Sequence, residues 1–293
     1  VAIPSEVLKK VKNIEISIRK KVNNLFAGEY HTVFKGQGMT FADFREYVPG
    51  DDFRAISWQL TARTGKTYIK QFEEERELMV TLAVDVSGSV EFGSKSYLKG
   101  EIMTFIAAAL GMSAVKNKDQ VGLLLFTDQV EHVVPAKKGR NQIMRILRDL
   151  EYFKPENRQT DIRSALIYLN KTLKKRGVVF LISDFYSAKD YSQELRLLAQ
   201  KHEVIACILQ DPFESEIPSL GLVEFEDLET GETVLVDTAQ GFFQKNYKKN
   251  KEEQRQKRDR ILKLAQVDKI VLGTDQEWDK ILLKYFKQRK GQR

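Results

Sequence analysis

The amino-acid sequence predicts an α/β protein with a doubly wound, mostly parallel sheet, together with a small N-terminal helix plus β-rich unit and a β-hairpin insertion. Three observations carry this. Short apolar, β-branched runs recur at Leu78–Val84, Val121–Thr127, Val178–Ser183, Val204–Leu209 and Lys269–Leu272, each of a length that suits a strand buried on both faces. Stretches with helical spacing alternate with them, which is the pattern of parallel strands joined by crossover helices. Several of the runs stop abruptly on hydroxyl or carboxylate residues, as strand ends lining a ligand crevice do.

In chain order, Val7, Val11, Ile14, Ile18, Val22 and Leu25 fall on one face of a helix over 5–26, with Ser5 as its cap, and this helix is expected to pack on the body of the protein. Residues 28–77 read differently. Gly28, Gly36, Gly38, Gly50 and Gly65 punctuate short runs such as Thr67–Phe72, a small β-rich unit with tight turns, and Pro49-Gly50-Asp51-Asp52 is one of those turns. Tyr47, Phe53 and Trp58 are assigned to the core of that unit. The expected domains are therefore 1–77 and 78–293.

Within the second domain, helices are expected at 96–116, 142–152, from Asp161 to about Lys175 with Gly177 ending it, and at 191–201, 241–266 and 278–288. Gln129–Val134 is expected to pair with the strand before it as a hairpin. Glu229-Thr230-Gly231-Glu232 separates two further alternating runs, a hairpin inserted at about 211–238.

Composition narrows the function. The net charge of +7 is concentrated at the C-terminal end, where Gln240–Arg293 holds 16 Lys and Arg against 7 Asp and Glu. Such a segment meets nucleic acid, anionic lipid or an acidic protein, or is simply a solvated helix face; interrupting acids favour the last. No zinc finger, RNP-type aromatic pattern or lipidation signal accompanies it, which argues against nucleic acid and leaves peripheral membrane contact open. Cys207 is the lone cysteine, within an apolar run, so it reads as a buried hydrophobe and no intrachain disulfide can form. No window approaches the roughly 18 apolar residues a membrane span needs, and the N-terminus lacks a signal-peptide core. A soluble, cytoplasmic protein is expected.

The candidate site lies at three strand ends or the loops beyond them. Asp85, Ser87 and Ser89 follow the first buried strand, Thr160 opens a helix, and Asp184 closes the strand at 178–183. Asp-x-Ser-x-Ser alone reads equally as a helix cap or turn; the matching positions of Thr160 and Asp184 strengthen it as a site. Oxygen donors without Cys or His suit Mg²⁺, or another hard divalent ion such as Mn²⁺ or Ca²⁺, rather than Zn²⁺. With at most two carboxylates the ion keeps electrophilic character and an open position for a carboxylate from another molecule.

Catalytic patterns fail. Gly65-Lys66-Thr67 lacks the P-loop glycine, since position 60 is Leu, and His202-Glu203 lacks a second zincin histidine, since position 206 is Ala. His31, His132 and His202 all fall outside the strand-end loops of the site. The remaining enzymatic alternative is phosphoryl transfer or hydrolysis with Mg²⁺, using Asp85 as acceptor.

Asp85-Val86-Ser87-Gly88-Ser89, Thr160 and Asp184 resemble the metal-ion-dependent adhesion site of von Willebrand factor A domains. That resemblance implies direct ligation by the serine-containing loop, a threonine that ligates in some states, and a later aspartate that acts through water. Arg45–Trp58, Ala62–Gly65, Glu73–Glu77, Gly221–Val223, Thr230–Glu232 and Asp237-Thr238 extend the likeness. Together they resemble the bacterial domain-of-unknown-function family number fifty-eight. The resemblance implies a partner, a MoxR-type AAA+ ATPase or its client in the maturation of protein complexes, but no reaction. The expectation is thus a metal-dependent protein-binding module that is not an enzyme.

Overall fold

The computed structural model describes residues 5–22, 39–74 and 78–290. Among these, contacts define two compact units, a small one within 34–78 and a large one that takes the N-terminal helix together with 79–290.

In the small unit, β1 (Met39–Glu46) pairs antiparallel with β2 (Tyr68–Glu74). Between them a single 3₁₀ turn, Phe53–Ala55, leads into α2 (Trp58–Thr64), a helix absent from the β-rich expectation. Gly65 ends it at φ 72°, the left-handed position that a residue without Cβ takes at little cost. Asp51 fixes the Pro49–Asp52 turn by receiving Arg45 at 2.6 and 2.8 Å and the Val48 N–H at 2.9 Å. The aromatic core expected here is not formed. Phe53 is 66% and Trp58 69% exposed, and Tyr47 is only half-buried. A two-stranded ribbon with one short helix has little interior in which to bury three rings.

The large unit opens with α1 (Ser5–Lys21). Val11, Ile14, Ile18 and Val22 form its buried stripe, so the helix belongs with the α/β body and not with the small unit. Residues 23–26 of the expected helix lie outside the described residues. Next come β3 (Met79–Asp85), α3 (Lys99–Lys116), β4 (Gln120–Phe126), β5 (Val130–Lys137), α4 (Arg140–Tyr152), α5 (Ile162–Thr172), β6 (Val178–Ser183), α6 (Ser192–Lys201) and β7 (Glu203–Gln210). A helical turn at Pro212–Ser215 precedes the inserted hairpin, β8 (Leu222–Glu226) and β9 (Thr233–Asp237). The chain finishes through α7 (Gly241–Leu264), β10 (Asp268–Gly273) and α8 (Trp278–Lys290).

Six strands form the main sheet in the order β10-β7-β6-β3-β4-β5. All pairings are parallel except β4 with β5. The order reverses between β3 and β6, which puts the topological switch point at the carboxyl ends of those two strands. Helices cover both faces. The apolar side of α3 (Ile102, Ile106, Leu110) is buried on one, and Ile162, Leu166, Leu195, Leu198 and Leu262 close the other. Cys207 is fully buried in β7, and burial pushes its thiol pKa up.

Gly177 does not end a helix, since α5 stops at Thr172. It is needed because β6 starts hard against β3, and a Cβ there would fall on the carbonyl oxygen of Met79. Gly177→Ala is expected to cost about 1–3 kcal/mol, as overpacking against backbone does. A urea midpoint equal to that of the wild type would refute this.

Candidate metal centre

β3 stops at Asp85 because the next residues bend away from the ladder. Val86 N–H still reaches the Phe126 carbonyl at 2.8 Å, and a 3₁₀ turn then occupies Gly88–Glu91. Asp85 is fully buried. Its Oδ1 accepts the Ser87 N–H at 3.0 Å and its Oδ2 accepts the Ser183 hydroxyl at 2.7 Å, so the end of β6 holds it as well as its own turn. Ser87 Oγ and Ser89 Oγ stand 3.2 Å apart.

β6 delivers Ser183 and Asp184. Phe185 follows at φ 62°, an uncommon position for a non-glycine residue, held by its N–H to Ser183 Oγ at 2.9 Å and by its buried ring. Asp184 accepts the Tyr186 N–H at 3.1 Å on one oxygen and the Lys99 ammonium at 3.1 Å on the other. The 158–161 loop is pinned beside them, Gly88 N–H donating to the Arg158 carbonyl at 2.8 Å and Asp161 N–H to that of Thr127 at 3.0 Å. Thr160 donates its hydroxyl to Glu229 Oε1 at 2.6 Å.

Four further residues, none of them a candidate from sequence, join this cluster. Ser183 ties Asp85 to β6. Lys99, at the first turn of α3 and 1% exposed, pairs with both Asp184 and Glu214. Glu214 comes from the Asp211-Pro212-Phe213-Glu214 capping box, in which Asp211 accepts the Phe213 N–H and Glu214 accepts the Asp211 N–H. That box is a readable signal; its reach to Lys99 is not. Glu229 comes from the turn of the inserted hairpin.

Burial, then the charge of Asp184, pushes the Asp85 carboxyl up to about 7, against the bonds from Ser183 and Ser87. Burial alone would lower the Lys99 ammonium; Asp184 and Glu214 outweigh it and hold that pKa above the ordinary lysine value. Glu229 is raised by burial and by Asp184, with the Thr160 hydroxyl opposing. The candidate donors here are two carboxylates, Asp85 and Asp184, and the hydroxyls of Ser87, Ser89 and Thr160. No group of three or more His, Cys, Asp or Glu stands together as a metal cluster among the described residues. An all-oxygen set short of negative charge fits a hard divalent ion better than a thiophilic one.

The basic segment packs beside this region. Lys251 of α7 lies 4.4 Å from the centre of the Tyr186 ring, and Arg258 is buried against Asp259.

The family model described as Protein of unknown function DUF58 matches residues 43–257. The chain belongs to this family. The DUF58 chain is 30% identical over 223 residues to an uncharacterised protein of Mycobacterium tuberculosis (strain H37Rv), covering 75% of this chain and 70% of that one. Two solved structures are similar in fold. One is BatB from Bacteroides thetaiotaomicron, with TM-score 0.51, 14% identity and coverage of 74% and 100% of the two chains. The other is an aerotolerance-related membrane protein from Bacteroides fragilis, with TM-score 0.50, 15% identity and the same coverage. At such identity they speak to the fold alone, the α/β architecture built on a mostly parallel sheet. Among the described residues of the DUF58 chain, no helix is long and apolar enough to cross a membrane.

Proposed function

We propose that this protein is a metal-dependent protein-binding module whose metal is held at the carboxyl ends of β3 and β6. Asp85, Ser87 and Ser89 would be the direct ligands, with Thr160 and Asp184 completing the set. The observation that carries the reading is the pairing of Asp184 with Lys99 at 3.1 Å. An ammonium already claims one Asp184 oxygen, which suits an aspartate acting through water and leaves the bound ion short of anionic ligands. Mg²⁺, or Mn²⁺ or Ca²⁺ in its place, would supply a Lewis-acidic centre that captures an Asp or Glu side chain of a partner. The partner class is the MoxR-type AAA+ ATPase, or its client, that the family resemblance implies. No catalytic group is assigned. His132 is engaged by Asp149 at 3.1 Å, and His202 is buried at the opposite, amino end of β7.

Asp85→Ala is expected to abolish Mg²⁺ binding in calorimetry, and metal-dependent partner capture with it, while the circular dichroism of the fold is kept. Partner capture that persists in EDTA would sink the metal bridge. Mg²⁺-dependent phosphoester turnover lost with Asp85→Ala would favour the enzymatic alternative instead.

A further inference from the structure

β8 and β9 form a ladder of two strands, so β9 has one edge that no strand covers. The ladder shows which groups that edge offers. At its two ends Asp227 N–H donates to the Glu232 carbonyl and Thr238 N–H to the Gly221 carbonyl, both at 2.8 Å. Bonded positions alternate along an antiparallel pair, so Val234 and Val236 bond to β8 while the N–H and C=O of Leu235 face away from it.

A groove of about 440 Å³ runs along this edge, between β9 and the first turns of α7. Leu235, Val236 and Asp237 all line it. Consecutive side chains point to opposite faces of a strand, so three in a row share a groove only when the strand's edge faces it. Phe242, Asn246 and Asn250, four residues apart on one stripe of α7, form the other wall.

The edge is unguarded. Proteins blunt an open strand with Lys, Pro or a bulge; Thr233-Val234-Leu235-Val236-Asp237 has none of these. Val234, Leu235 and Phe242 are 58%, 66% and 78% exposed. The charge that borders the groove is positive. Lys245 and Lys249 are exposed beside Asn246, and Lys249 meets Glu253 at a loose 3.9 Å. Asp237, the acid in the lining, is already engaged by the Ala239 N–H at 3.0 Å and the Gln240 amide at 3.2 Å.

We infer that this groove docks an extended acidic segment of a partner protein, which adds to β9 as a third strand. Its main chain bonds the outward N–H and C=O of Leu235, the direct chemistry of strand addition. An apolar residue of the segment seats against Phe242, and its Asp or Glu side chains meet Lys245, Lys249 and the amides of Asn246 and Asn250. A lipid surface would cover the apolar side chains but leave the Leu235 backbone groups without partners. The docking uses no metal, so it stands apart from the proposed function.

The probe is a fluorescein-labelled synthetic peptide of alternating Glu and Val, followed by anisotropy in EDTA. Leu235→Pro removes an N–H that takes no part in the β8 ladder, a place where an edge strand accepts proline; Leu235→Ala removes the side chain and keeps the N–H. Leu235→Pro is expected to bind the peptide ~10-fold more weakly than Leu235→Ala. Phe242→Ser and Lys249→Glu, both at exposed positions, should melt as wild type does and each weaken binding ~5-fold or more, the scale of an interface residue that matters. A peptide of alternating Lys and Val should bind more weakly than the Glu peptide by a similar factor. Equal binding in Leu235→Ala and Leu235→Pro would overturn strand addition, and equal binding of the two peptides would overturn the acidic partner. No binding of the Glu peptide would overturn the inference outright. Sedimentation with phosphatidylglycerol vesicles lost in Phe242→Ser would then assign the edge to lipid, and dimerisation lost in Leu235→Pro would assign it to a second copy.

Discussion

Lys99→Met is expected to destabilise the metal-free protein by about 3–5 kcal/mol, the usual cost of stripping one partner from a buried ion pair. Met retains the length of the apolar stem but removes the ammonium. Asp184 and Glu214 would then be left without the cation that both contact. Asp85 already feels the Asp184 charge, so the loss spreads through the whole strand-end cluster. Lysine is also the wrong charge for a helix N-terminus, where the macrodipole favours anions; its presence at the start of α3 is explained by the pair and not by the helix. Denaturant unfolding in EDTA measures the cost. Adding Mg²⁺ should return part of it, because a second cation enters the same cluster. Glu214→Gln in the Lys99→Met background should be less damaging than in the wild type, since the two residues are one interaction. A Lys99→Met penalty below about 0.5 kcal/mol, the range of ordinary surface changes, would mean that the pair contributes little.

How much of this was legible in the sequence depends on the range of the interaction. The buried strands were readable because a parallel strand covered on both faces must be a short, mainly apolar run; β3, β4, β6 and β7 are, while the edge strand β10 buries Ile270 and Leu272 and leaves Val271 exposed. Asp85, Ser87, Ser89 and Asp184 were readable as candidates because polar residues interrupt those runs where a parallel sheet opens its crevice. Lys99 was not. A lysine after Leu98 at a helix start looks like any solvated residue, and its partners lie 85 and 115 positions away. Glu229 was equally silent, since Glu-Thr-Gly-Glu reads as turn chemistry whatever the turn touches. Phe53 and Trp58 misled in the opposite sense. Their ring area suggests burial, but the ribbon and helix around them supply too few neighbours. Gly177 was visible as punctuation, while its cause, the Met79 carbonyl, lies on another strand.

The second large effect concerns the charge on Asp85. With its carboxyl raised from 3.8 to about 7 in the metal-free fold, the group is protonated in the folded chain where the unfolded chain has already ionised it. The sign follows from proton linkage. Below pH 4 the residue is neutral in both states and its contribution to stability is fully present. Between the two pKa values the unfolded state gains by ionising, so metal-free stability falls with rising pH. Above about 7 the loss is complete, on the order of 4 kcal/mol for a shift of this size. Asp85→Asn removes that titration, and the Ser183 hydroxyl can turn to accept from the amide. In EDTA the variant is therefore expected to match wild type near pH 4 and to become the more stable of the two by pH 8. Metal should close most of that gap. A divalent ion at 100 times its dissociation constant adds about 2.7 kcal/mol to the wild type and nothing to Asp85→Asn, because the ion needs the ionised carboxylate that the bare fold disfavours. Denaturant unfolding of both proteins from pH 4 to 8, with EDTA and with Mg²⁺, measures how the gap opens with pH and how far the ion closes it. A gap between them that is constant in pH would show that Asp85 does not carry the buried charge. A gap that moves with pH but ignores Mg²⁺ would keep the buried charge and remove the metal.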